Sequence, residues 1–404
     1  MNKKLIAVAV AGMSIAGISA EAFAQTTVTI TGLIRTSFGQ YSVSGRAAGA
    51  VGQSREWQVR DESSRIIFLM REDLGGGMAA IGKFDLRFAT SDGGVGGNSG
   101  ESYVGLTSPT WGTIALGKFD FHYGNSASFT GTHAGLQTNP TSIMDVAGAG
   151  TAPIANQTRT NNAIRYGSPK WGDMFEVIVG YSANPTAAAN IPAVTASAAG
   201  AVSTSVANQA ENDLRSTARK GSAFNIQPKL YGKNWEVSYS YWMAKPDIGI
   251  NTITGGVPTA PATVVKHRGD SLYGWYLWGG LRLGLAYNRS RVDTTTLATG
   301  ATTQTSNRNA WGIPIAYTWG NHNIYFDYNR ARADKAAGFA GLDTKARLLG
   351  LSYAYDLSKR TSAALSYVQI KNGASATYNL FSGNAGLVAG EDPRSLHVTL
   401  THRY

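Results

Sequence analysis

From Val28 onward, short stretches of the chain alternate apolar and polar residues with a period of two, the spacing of a strand whose two faces meet different surroundings. In the first stretch Val28, Ile30, Ile34 and Phe38 hold one parity, and Thr29, Thr31, Arg35 and Ser37 the other. The same split sets Ile66, Phe68 and Met70 against Arg65 and Arg71, and Phe84, Leu86 and Phe88 against Lys83, Asp85 and Arg87. It recurs as Ile164 and Tyr166 against Arg159, Asn161 and Arg165, then as Phe175, Val177, Val179 and Tyr181 against Glu176. Further on, Leu281, Leu283, Leu285 and Tyr287 oppose Arg282. The final stretch, Ser395 to Tyr404, sets Leu396, Val398 and Leu400 against His397, Thr399 and Thr401 and ends on an aromatic residue.

Polar connections of two kinds take turns between these stretches. Short ones fall at 73–77, 108–112, 168–172, 232–234, 279–280, 319–321 and 356–359. Long ones cover roughly 40–62, 89–100, 119–158, 182–221, 244–269, 292–307, 330–344 and 371–394. Seven short turns and eight long loops predict sixteen strands, and an even strand count with short turns at one end and long loops at the other belongs to outer-membrane barrels. The expectation is an all-β chain: a sixteen-stranded antiparallel transmembrane β-barrel whose last strand closes on its first. Loop segments 183–210 and 251–264 are low in complexity and predict exposed connections.

Energetics fix which face meets lipid. A Lys or Arg at the lipid midplane costs about 2–4 kcal/mol. Arg35, Arg65, Arg71, Lys83, Arg87, Arg159, Arg165 and Arg282 would together cost roughly 16–32 kcal/mol there, more than the roughly 5–15 kcal/mol that holds a typical fold together. They must therefore face water, and about sixteen strands enclose an aqueous channel.

Composition adds to the pattern. A mean hydropathy of −0.15 with 43% apolar residues would suit a soluble protein, but alternating walls average out to the same value. Forty-eight glycines suit tight turns, and nineteen tyrosines with nine tryptophans suit membrane interfaces. Lys3, Lys4, an apolar run from Leu5 to Ala20 and the Ala22-Phe23-Ala24 site predict a signal peptide over 1–24, leaving one domain over 25–404. The charge of +11 becomes +10 once Lys3, Lys4 and Glu21 leave, which favours a lumen for anions over nucleic acid in an exported chain. The chain has no cysteine, which excludes disulfides and thiolate metal sites.

Ordered blocks of residues carry a family resemblance. VTITGLI (28–34), SSR and EDLGGGM (63–65, 72–78), SYVGLTSPTWGTIALGKFD (102–120), NNAIRYGSPKWG (161–172), YDLSKRTSAALSY (355–367) and the closing LHVTLTHRY resemble the general porins of Gram-negative bacteria, in particular the trimeric sixteen-stranded beta-proteobacterial type. The resemblance implies a homotrimer in the outer membrane, set among lipid and lipopolysaccharide, passing small anions and hydrophilic solutes by passive diffusion. It also implies a third loop, here about 119–158, folded into the lumen with acidic residues facing a basic wall. Lys118, Arg35, Arg65, Lys83, Arg87 and Arg165 are the candidates for the wall, and Asp120 and Asp145 for the loop. Two departures raise the lumen potential: Arg35 stands where the family often has an acid, and the loop has only those two carboxylates. Tyr404 stands where the family usually ends in Phe, an aromatic that serves as the assembly signal.

Other chemistries fit less well. Gly75-Gly76-Gly77 is not followed by the Lys-Ser/Thr pair of a phosphate loop, no histidines have HExxH spacing, and neither metal nor cofactor is expected. His122 and His133 read as solvated loop residues, and Trp111, Trp171, Trp235 and Trp319, beside short turns, as an aromatic girdle. No catalytic residues are expected. The rivals to a general porin are a barrel-embedded hydrolase, an exported soluble binding or adhesion protein, and a substrate-specific channel of the same fold.

Overall fold

The computed structural model describes residues 26–45, 55–94, 100–121, 135, 141–144, 159–183, 221–245, 252–254, 257–259, 263–380 and 387–404. The proposed signal peptide, Asp145, His122 and His133 lie outside them. The strands are β1 (Thr27–Ser44), β2 (Arg55–Asp61), β3 (Arg65–Gly75), β4 (Met78–Arg87), β5 (Ser102–Ser108), β6 (Gly112–Phe119), β7 (Thr160–Gly167), β8 (Phe175–Ser182), β9 (Ser222–Tyr231) and β10 (Trp235–Lys245). They continue as β11 (Thr252–Thr254), β12 (Val257–Thr259), β13 (Thr263–Trp278), β14 (Leu281–Thr296), β15 (Thr302–Trp319), β16 (His322–Ala331), β17 (Ala346–Asp356), β18 (Thr361–Asn372) and β19 (Asp392–Arg403). One helical turn, α1 (Thr141–Met144), falls between β6 and β7.

Seventeen strands form one antiparallel sheet, while β11 and β12 pair only with each other. Both β2 and β3 lie along β1, at Thr36–Ser42 and Thr27–Leu33 respectively, so they are two halves of one wall position. Ser63, with a φ of 76°, makes the break between them, and the barrel has sixteen strands. Closure is direct: β1 pairs with β19 from Leu33↔Arg403 to Ser44↔Asp392. The backbone of Tyr404 continues the seam, its carbonyl accepting from Gly32 N–H at 3.3 Å, and its hydroxyl donates to the Arg65 carbonyl at 3.1 Å. Closing the sheet removes the edge strands that would otherwise expose unpaired backbone in lipid.

The alternation in the sequence becomes the two faces of this wall. Val28, Ile30, Ile34 and Phe38 are exposed on the outside, while Ser37 is buried on the inside. Likewise Leu396, Val398 and Leu400 are more than half exposed, and the interleaved His397, Thr399 and Thr401 are buried. The seven short turns stand where the periodicity put them; at the first, Gly75, Gly76 and Gly77 all have φ between 59° and 80°, a region L side chains rarely adopt. The long connections are shorter than expected. Strands β1, β2, β13, β14 and β15 run into the ranges 40–62, 244–269 and 292–307, because beyond the bilayer both faces of a strand are wet and the alternation fades.

Pieces of the connection between β6 and β7 touch inward-facing residues on three sides of the wall. Phe121 packs on Trp242 of β10 with ring centroids 6.2 Å apart and covers Gly180 of β8. Gly135 lies against Glu62, just before β3, and Thr399 of β19. The α1 turn contacts β15, β16 and β17.

Candidate functional site

The inner wall from β1 to β7 carries a dense set of charges. Strand register lines up Leu33, Arg65 and Arg87 across β1, β3 and β4, and inward parity adds Arg35, Lys83 and Asp85. Asp85 takes Arg87 in a two-point pair, Nε to Oδ1 at 2.8 Å and Nη2 to Oδ2 at 2.9 Å. Arg87 also donates to the Ser63 hydroxyl at the break in the second wall strand.

Glu101 joins several of the expected residues, though its place just before β5 gives it no periodic signal. Its Oε2 meets Lys83 Nζ at 2.8 Å and its Oε1 meets Arg165 Nη1 at 3.2 Å. The Asp120 amide donates to Oε1 at 3.1 Å, and the Asp120 carboxylate pairs with Arg159 Nε at 3.0 Å. Burial works against the charged form of Glu101, but the charges of Lys83 and Arg165 outweigh it and hold its pKa below the usual carboxylate value. Arg165 also lies 4.4 Å over the Phe119 ring and 5.3 Å from the Tyr103 ring centroid, which fixes its guanidinium on the lumen side.

Arg35 and Arg65 stand apart from these pairs. Arg35 Nε donates to the Glu62 carbonyl at 2.8 Å, and Glu62, fully buried, accepts from Ser37 at 2.7 Å. Among the described residues neither Arg35 nor Arg65 makes an ion pair with a carboxylate. The charges around Arg65 are Arg87, Asp85, Arg35 and Arg159, three cations to one anion. Around Arg35 the charges are Glu62 and Asp61 against Arg403 and Arg87, so the local excess of positive charge is centred on Arg65.

The remaining candidates fall elsewhere. Arg71 lies six residues along β3 from Arg65, about 20 Å at strand rise, and is exposed near the first short turn. Glu176 sits near another short turn, where it meets Lys229 at 3.7 Å and the Tyr231 hydroxyl. Arg282 lies 4.4 Å over the Trp275 ring, whose Nε1 donates to Glu236 at 3.2 Å. These two belong to a separate charged and aromatic belt at the short-turn end. Lys118 is opposite Ser102, on the same parity as Val104 and Leu116, where the register of β6 slips against β7. There it lines a cavity of about 810 Å³ together with the outward residues Leu116, Ile164 and Tyr181.

One functional side chain escaped sequence reasoning altogether. Arg308 of β15 is 2% exposed and reaches from its own strand to the adjacent α1, donating to the Ile143 carbonyl at 3.0 Å, the Met144 carbonyl at 2.6 Å and the Tyr378 hydroxyl at 2.7 Å. It lies one residue past the range expected to be loop. Among the described residues no cluster of metal-binding side chains occurs.

Comparison with known proteins agrees with this geometry. The chain matches the profile of a family described as Gram-negative porin over residues 7–375. No curated protein matches it in sequence. Among solved structures it is similar to an anion-selective porin from Comamonas acidovorans, with a TM-score of 0.66 and 19% identity over 94% of this chain and 100% of that one. It is also similar to OmpT of Vibrio cholerae in its trimer form, with a TM-score of 0.60 and 14% identity over 94% and 99% of the two chains. A third similar structure is Salmonella typhi OmpF in complex with daunomycin, with a TM-score of 0.60 and 10% identity over 93% and 97%.

Proposed function

Because the chain belongs to the Gram-negative porin family, whose profile covers most of its length, we propose that it forms a water-filled, anion-preferring channel for passive diffusion of small hydrophilic solutes and ions. The observation that carries the anion preference is the inward cluster of Arg35, Arg65, Arg87 and Arg159, in which Arg65 makes no ion pair among the described residues and faces three cations and one carboxylate. Rows of Arg and Lys are a basis for anion selectivity, and low-dielectric walls concentrate the field in the lumen. Site affinity stays weak, since a tightly held anion would block conduction.

The 119–158 connection forms the constriction in this reading. Support comes from its contacts with inward residues of β8, β10, β19 and β15 to β17, and from Arg308, which ties α1 to the wall opposite the arginines. Residues 1–24 act as the export signal, the mature chain is one barrel domain, and three copies assemble, as the trimer form of a similar structure suggests. Long loops face the exterior and short turns the periplasm. Outer-membrane lipid and lipopolysaccharide surround the apolar belt. A substrate-specific channel would share all of this and differ in rejecting most solutes. Planar-bilayer conductance in chloride salts against salts of bulky organic anions separates the readings: a general anion-preferring pore passes chloride freely and loses conductance smoothly with anion size. Absence of channels, or conductance insensitive to the anion, would overturn the proposal.

A further inference from the structure

The charged belt at the short-turn end differs from the arginine wall in how its charges are satisfied. Glu176 and Lys229, directly opposite each other on β8 and β9, close on one another at 3.7 Å. Further round the same inner face, Glu236 of β10 and Arg282 of β14 do not close. Glu236 is the carboxylate whose charge acts on Arg282, yet among the described residues Glu236 makes no ion pair and Arg282 neither an ion pair nor a hydrogen bond. Both point inward, because Glu236 alternates with Val237 and Arg282 with Leu283, which are exposed on the outer face.

The indole of Trp275 holds these two charges apart while touching both. Trp275 is directly opposite Glu236 on β13, and Leu277, two residues on, is directly opposite Arg282. Its Nε1 donates to Glu236 Oε2 at 3.2 Å, and the Arg282 guanidinium lies 4.4 Å over its ring. Glu236 Oε1 accepts from the Tyr273 hydroxyl. Trp275 packs in turn against the buried cluster that contains Tyr273 and Ala286, which gives the indole a fixed seat. A carboxylate accepts about four hydrogen bonds, so Glu236 keeps acceptor positions open, as Arg282 keeps its forked N–H donors. Two opposite charges fixed side by side in this way call for a ligand that carries both signs. A lone anion meets Arg282 but is opposed by Glu236, and a lone cation meets the reverse, unlike the cation excess around Arg65.

We propose that Glu236 and Arg282, spaced by Trp275, form a lumen subsite for zwitterionic α-amino acids. The solute carboxylate takes paired N–H donors from Arg282, and its ammonium group donates to the open acceptor positions of Glu236. This assignment rests on the reading of the lumen as a solute path, and extends that path from ions to solutes without net charge. Arg282 lies two residues after the 279–280 turn, about 7 Å at strand rise, so the subsite stands at the short-turn mouth, apart from the arginine wall. Both side chains are only partly buried, which keeps the contacts weak enough for release.

The fluorine NMR signal of Trp275 in the full chain, labelled with 5-fluorotryptophan, held in detergent micelles and assigned with W275F, tests the site. Titration with alanine, N-acetylalanine and alaninamide compares solutes of similar size that carry both charges, the negative one alone and the positive one alone. The expected result is half-saturation by alanine at a concentration about threefold or more below that of either analogue. E236Q removes the advantage over N-acetylalanine, and R282Q the advantage over alaninamide, with heat-modifiable gel migration retained in both. A Trp275 signal that alanine leaves unmoved overturns the proposal without reliance on any variant. So does tighter or equal binding of N-acetylalanine by the native chain, which would make the site a plain anion site. Because the signal reports binding and not transport, cation preference or absence of channels in planar bilayers counts against the anion-pore reading alone and leaves the subsite standing.

Discussion

Replacing Arg308 with methionine keeps most of the apolar stem of the side chain and removes only the guanidinium that holds α1. Three hydrogen bonds go with it, at 3.0, 2.6 and 2.7 Å, in a site where the arginine is 2% exposed. Each bond to a charged group contributes about 1.5–3 kcal/mol, and each carbonyl left buried without a partner costs about 1–3 kcal/mol. Relief from burying a charge offsets part of this sum, so the net change favouring release of α1 is about 2–5 kcal/mol. At about 1.4 kcal/mol per factor of ten, the ratio of released to docked loop rises roughly thirtyfold to several thousandfold. Single-channel recording reads this directly, as excess current noise and additional conductance levels in R308M, with the strand signal in circular dichroism unchanged. Tyr378→Phe removes one bond of the three and produces a smaller effect of the same kind. Native-like noise and conductance in R308M, with the barrel intact, would refute the assignment of Arg308 as the tether.

Three further outcomes follow from the geometry. Glu101, whose pKa is lowered by Lys83 and Arg165, contributes stability above the ordinary carboxylate pKa and loses it as pH falls through the depressed value. Anion preference therefore increases in acid as that negative charge is lost, and Glu101→Gln shows the increased preference at neutral pH, read from zero-current potentials. A side chain at Gly180 would bring Cβ within 2.3 Å of the Phe121 ring. Gly180→Val thus displaces Phe121 at a cost of about 1–3 kcal/mol, seen as a lower temperature for loss of heat-modifiable gel migration. Tyr404→Ala removes the 3.1 Å bond to the Arg65 carbonyl and weakens the seam by about 1 kcal/mol, measured as slower refolding into detergent micelles.

Legibility of the chain followed the membrane. Inside the bilayer the two faces of each strand differ sharply, and Val28 to Phe38 or Leu396 to Leu400 could be assigned residue by residue from parity. Outside it the rule has nothing to act on: Arg55–Asp61 is strand, yet its residues are polar on both parities apart from Trp57 and Val59, and it passed for loop. Arg308 was lost for the same reason, at the outer end of β15 among Ser306, Asn307 and Asn309. Glu101 and Glu62 carry no periodicity of their own, and only the folded wall brings them to their arginines and lysines. Lys118 is a wall candidate through the family resemblance and not through parity, which sets it with Leu116, while the charges acting on it are Arg159, Asp120 and Asp85.

Selectivity of the native channel beside that of Arg65→Glu tests the central claim most directly. An ion passing about 8 Å from the guanidinium in water feels about 0.5 kcal/mol per unit charge, roughly halved by salt at 0.1 M. Reversing the charge changes it by two units and acts with opposite sign on anion and cation, which gives about 1 kcal/mol, or about a fivefold fall in the anion-to-cation permeability ratio. Zero-current potentials across a potassium chloride gradient should show anion preference for the native chain and this reduced ratio for R65E. Cation preference in the native channel, or a potential unmoved by the substitution, would contradict the account.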